Sequence, residues 1–96
     1  MPLKQTGWDV LQYEVREEQA ATIGRLSREL QASLEALKAV DRADLERPRL
    51  VDEAAYALWH FVVQRDCAGI RFTEQFLRDF DVPAEVRAKM GVVKRR

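Results

Sequence analysis

Few side chains in this sequence could do chemistry, and their spacing limits them further. Cys67 is the sole thiol and His60 the sole imidazole among 96 residues. Seven positions along one helix separate them by two turns, roughly 10 Å, beyond the reach of a Cys–His nucleophile pair. Cys67 also falls near the C-terminal end of its helix, where the negative end of the dipole disfavours a thiolate, so it reads as a buried, inert thiol. His60 shares the polar side of that helix with Arg49, Glu53 and Gln64 and reads as a surface residue. One His and one Cys supply none of the ligand spacings of a zinc site. No glycine-rich loop precedes a helix in the phosphate-binding pattern. Carboxylates are plentiful, but they are spread over helix faces that water would cover. The sequence thus offers no catalytic residue, no cofactor-binding residue and no metal ligand, and enzyme activity is not expected.

Arg65 and Asp66 stand out because both project into the broad apolar arc of their helix. A guanidinium there is costly unless it is paired or reaches solvent. The two are expected to form a buried polar network in which Arg65, at least half buried, binds helix-terminal carbonyls or a carboxylate of the first helix. The functional alternative is a small anion site beside Gly69 and Arg71. Loss of Arg65 by substitution with Ala should then cost about 2–4 kcal/mol, much of it from stranding a partner.

The elements that must carry these residues are all helical. Thr6 and Asp9 form a capping pattern at the start of the first helix. Behind it, Trp8, Leu11, Val15, Ile23, Leu26, Leu30, Leu34, Leu37 and Val40 recur at spacings of three and four or their sums, defining one buried stripe. Gln19, Thr22 and Ser33 interrupt the stripe, so it is not a clean zipper seam. Tyr13, Ala20 and Gly24 lie on a second face, where Gly24 would suit a close helix crossing. The pattern predicts a helix over 7–40, roughly 50 Å long, whereas a compact domain of this size is only about 30 Å across.

Asp41 to Arg47 reads as a charged connection. Pro48 opens a second helix over 48–68 that should stop at Gly69, a left-handed C-cap. Leu50, Val51, Ala54, Ala55, Tyr56, Leu58, Trp59, Phe61, Val62 and Val63 cover about 240° of its wheel, more than one neighbour can bury, so it is the central helix. Two short helices follow, over 73–80 with Thr73 as N-cap and over 83–90 with Gly91 closing it. Phe72, Phe76, Leu77 and Phe80 supply the inner face of the former. Val82, Val86 and Met90 supply that of the latter. A basic tail, 92–96, ends the chain.

The run Leu11-x-Tyr13-Glu14, then Glu18-x-Ala20-x-x-x-Gly24-Arg25, is similar to the opening of a family of small bacterial proteins of unknown function. Trp59-x-Phe61-x-x-Gln64-Arg65-Asp66-Cys67-x-Gly69-Ile70-Arg71 resembles that family's most distinctive segment. Val82-Pro83-x-Glu85-Val86 and Gly91 resemble its end. The resemblance implies an all-helical fold and brings no activity, ligand or catalytic residue.

Composition agrees with a single globular helical domain spanning 1–96, with 47% hydrophobic and 33% charged residues. Sixteen basic residues balance sixteen acidic ones, so nothing global points to nucleic acid or an anionic membrane. A lone Cys allows no internal disulfide, and no signal peptide or membrane span is read, so a cytoplasmic protein is expected. The last two helices loosely imitate a helix-turn-helix, with Arg87, Lys89 and Lys94 as basic residues. Leu77 is bulky where helices should cross closely, and Asp81-Val82-Pro83 replaces the Gly-containing turn. A minor nucleic-acid-binding regulator is the second reading. The first is a structural or regulatory interaction module, an intertwined or side-by-side homodimer. Its interface would hold Leu26, Leu30 and Leu37, with Tyr13 and Gly24 as secondary contacts.

Overall fold

The computed structural model describes residues 7–69 and 74–94, with side chains described as far as residue 90. Four helices make up the fold: α1 (Gly7–Lys38), α2 (Arg47–Cys67), α3 (Glu74–Asp79) and α4 (Ala84–Lys94). No strand occurs among the described residues. Thr6, Phe72 and Thr73, expected as caps or core, lie outside them.

α1 and α2 are joined by a short turn and pack as a hairpin, and α4 packs against α2. The second helix is therefore central, as its wide apolar arc requires. Leu26, Leu30, Leu34 and Leu37 of α1 meet Ala54, Ala55, Leu58, Phe61 and Val62 of α2 in the core. Phe76, Leu77 and Val86 complete it. The edge-on contact of Phe61 with Phe76, 5.0 Å between centroids at 74°, is a favourable aromatic geometry.

Helix ends follow local chemistry. Gly69 adopts φ 82° after α2, where a side chain would be strained. Asp81 does the same job after α3 at φ 55°. The Val82 amide donates to the Leu77 carbonyl and the Asp81 amide to that of Arg78, the paired bonds of a Schellman motif. Pro83 then accepts from the amides of Val86 and Arg87 to start α4. α4 continues through Gly91 to Lys94, so Gly91 does not close the helix and residues 92–94 belong to it. A single Gly costs a helix only about 1 kcal/mol, too little to end one that is otherwise favourable.

α1 has 32 residues and α2 has 21, roughly 48 Å against 31 Å of axis. The first turns of α1 accordingly project beyond the hairpin. The molecule measures 62 × 26 × 22 Å with a radius of gyration of 17.1 Å, against about 12–13 Å for a compact chain of this length.

Candidate interaction surface

Two regions hold the groups singled out by residue type. The first is the α1–α2 turn. Arg47 Nε donates to Glu85 Oε2 at 2.8 Å, while Nη1 donates to the carbonyls of Leu37 at 3.4 Å and Val40 at 3.2 Å. Its side chain is 16% exposed. One guanidinium thus adds a donor to the Leu37 carbonyl, which also accepts from the Val40 amide, bonds the Val40 carbonyl in the turn, and ties the starts of α2 and α4 to them. The sequence reading assigned this bracing to Arg65 and passed over Arg47 as part of a charged connection. The available signal was a cation at a helix start, where the dipole disfavours it, directly before Pro48.

Around this bolt lies an open cleft of about 330 Å³ that includes Asp52 and Lys89. Two ion pairs cross it: besides Arg47 and Glu85, Lys89 Nζ stands 3.3 Å from Asp52 Oδ1. Nearby, exposed Arg49 pairs with Glu46 and Glu53, each at 2.6 Å. Its hydrogen bond to Glu46, then that to Glu53, hold its pKa above the ordinary guanidinium value. No group of three or more potential metal ligands occurs among the described residues.

The far end of α2 departs from expectation. Arg65 is partly buried, but its guanidinium lies over the rings of Phe61 and Phe76, 5.5 and 5.2 Å from their centroids. Arg65 Nε is shut off from water and hydrogen-bonds to nothing among the described residues. Aromatic faces thus stand where a carboxylate or carbonyl was expected. Asp66 is exposed, so the two residues form no buried network. Cys67 is also exposed rather than buried. His60 is half-buried beside Tyr56 and Trp59, 5.6 and 6.3 Å between ring centroids. Arg71, the other half of the suggested anion site, lies outside the described residues.

The second region is the projecting arm of α1. Trp8 is 64% exposed, Leu11 51% and Val15 46%, and with Gln12, Arg16 and Gln19 they line an apolar groove of about 300 Å³. These residues were expected to be buried with the rest of their stripe. They are open because α2 is too short to reach them. Tyr13 is exposed as well, on the opposite side of the helix.

The expected interface residues divide accordingly. Leu26, Leu30 and Leu37 are 2% exposed or less within the chain's own core, so they offer no surface to a second copy. Gly24 serves no close crossing among the described residues: a Cβ there would meet the flexible end of Arg28, at 3.6 Å. Of that set, Tyr13 is exposed and Gly24 part-exposed.

Of the basic groups named for the last two helices, Arg87 and Lys89 are engaged, and the Lys94 side chain lies outside the described residues. Arg87 Nη2 contacts Glu74 at 3.2 Å, and Lys89 contacts Asp52. α3 has only six residues. No helix among the described residues is long and apolar enough to cross a membrane.

Comparison with known proteins places the whole chain in one group. The model of a family of unknown function (DUF6665) matches residues 2–96, and the chain belongs to that family. No curated protein and no solved structure matches it.

Proposed function

We propose that this protein is a non-catalytic, cytoplasmic interaction module that acts as a homodimer through the exposed arm of α1, in a structural or regulatory role. The observation that carries this reading is the apolar stripe Trp8, Leu11 and Val15, left open on a helix that outruns its own domain. Exposed apolar patches rimmed by polar residues mark association sites, and Gln12, Arg16 and Gln19 rim this one. A helix face of this length buries on the order of 400–500 Å² per copy, so a symmetric pair reaches about 1,000 Å², the lower bound for specific association. An interface at that lower bound fits a weak, concentration-dependent pair. Closed two-fold symmetry is the commonest solution for a small chain.

Sedimentation or light scattering between about 1 and 100 µM, a range bracketing micromolar affinity, tests it. A mass rising to twice 11.1 kDa is expected, and a monomer mass throughout would end the reading. The nucleic-acid alternative loses support from the ion pairs that occupy Arg87 and Lys89. Free cations supply most affinity for phosphate, so no duplex DNA should be retained at about 150 mM salt.

A further inference from the structure

We infer that the tip of α1, Gly7 to Val15, is a conditional helix that melts and re-forms by itself while the rest of the chain stays folded. This is a property of the single chain and does not rest on the homodimer reading.

Burial does not hold the tip. Every residue of α1 from Gly7 to Glu18 is exposed. Going along the helix, packing against the core starts at Ile23, and Leu26 is the first residue sealed within it. The sequence shows why the seal lapses. Gln19 and Thr22 occupy the stripe positions between Val15 and Ile23, where apolar side chains would be needed to continue it. Helices in proteins owe most of their stability to such packing. Beyond it, the tip has only its backbone hydrogen bonds and its intrinsic propensity.

That propensity is poor. Among residues 7–15 only Leu11, Gln12 and Glu14 are strong helix formers. Gly7 loses the most backbone freedom, and Trp8, Val10, Tyr13 and Val15 lose side-chain freedom against the preceding turn. Glu14 has Glu17 and Glu18 three and four positions on, where like charges repel. Asp9 in the first turn favours the helix dipole, but that effect fades within the turn. Residues 16–21, Arg-Glu-Glu-Gln-Ala-Ala, are all strong formers. They carry the helix out of the core as a stalk, and its stability falls from Leu26 toward Gly7. Since the packed half already supplies the nucleus, the tip closes residue by residue without a nucleation cost. Its opening is therefore local rather than part of global unfolding.

Trp8, Leu11 and Val15 form one continuous face only while the tip is closed. Whatever reads that face closes the tip as it binds, and its apparent affinity is lowered by the fraction closed.

Amide hydrogen exchange on the full chain, diluted below the association range, tests this. The first four amides of a helix have no partner within it, so those from Leu11 to Val15 report on the tip. They should exchange within about tenfold of the unstructured rate, whereas Leu30, Leu34, Leu58 and Val62 should be slowed more than about a thousandfold. Two substitutions then set a sign. Val15 lies on the stripe and Val10 on the far side of the helix, and they are 46% and 40% exposed, so replacing either leaves the core untouched. Val10→Ala and Val15→Ala should each raise protection of the Leu11 to Glu14 amides by about two- to threefold, because Ala is the better helix former. A tip protected as strongly as Leu30 would overturn the inference, since it would then open only with the whole domain. Protection lowered by Val15→Ala but raised by Val10→Ala would overturn it too, because the stripe would then be held by packing.

Discussion

The two halves of α1 carry the same kind of residue at the same spacing and meet opposite fates. In the C-terminal half, Leu26, Leu30, Leu34 and Leu37 are sealed against α2. In the N-terminal half, Trp8, Leu11 and Val15 continue that stripe into solvent. The helix does not differ between them; what differs is whether a neighbour is within reach. Amphipathic periodicity identifies a face that needs cover, and the length of the adjacent helix decides how much cover it receives.

The sharpest way to break this contrast is to truncate one leucine in each half. Leu30→Ala should cost about 3–5 kcal/mol, because a fully enclosed side chain leaves a cavity. Leu11→Ala should cost less than about 0.5 kcal/mol in dilute protein, where no second copy covers it. Urea unfolding below the association range compares the two directly, and equal losses would show that the arm is already covered within the chain.

Arg47→Met probes the bolt that fixes the well-covered end of the hairpin. A loss of about 2–3 kcal/mol is expected, since Glu85 and the Val40 carbonyl are left without the Arg47 donor. A change under about 0.5 kcal/mol in the same unfolding measurement would reduce that cluster to an ordinary surface ion pair.

Arg65→Ala should cost about 1 kcal/mol, the scale of a cation over aromatic rings, rather than the larger loss of a buried ion pair. A loss of 3 kcal/mol or more would restore a hydrogen-bonded partner for it.

The smallest effect carries the opposite sign. Gly24→Ala should stabilise the isolated chain by about 0.8–1 kcal/mol, because α1 gains helix propensity and the added methyl meets only Arg28. If the same variant abolished association, the Gly24 face would be a crossing point between copies, and the arm stripe would not be the main contact.

Much of the fold was legible in the sequence for reasons that can be named. Pro48 and Gly69 bracket α2 because one residue lacks an amide and the other tolerates positive φ. Phe76, Leu77 and Val86 were readable as core from their spacing alone. The site was less legible. Arg65 and Arg47 are both cations beside helix termini, and sequence assigned the bracing of carbonyls to the wrong one. A cation at the helix start before Pro48 marks Arg47 as unusual, but its partner depends on which helix end folds back onto which arginine. Cys67 and Asp66 looked inward on a wheel that extends the core to the last turn of α2, whereas packing stops sooner.

The sequence by itself determined the helices, their approximate ends and the existence of one apolar stripe longer than any small domain. These follow from interactions within a few residues: backbone hydrogen bonds, caps, and side chains three and four apart. Tertiary structure alone decided which part of the stripe is core and which is surface. That outcome depends on the register of α1 against α2, set by the turn and the Arg47 hydrogen bond to the Leu37 carbonyl, and no local rule fixes contacts between residues so far apart in the chain.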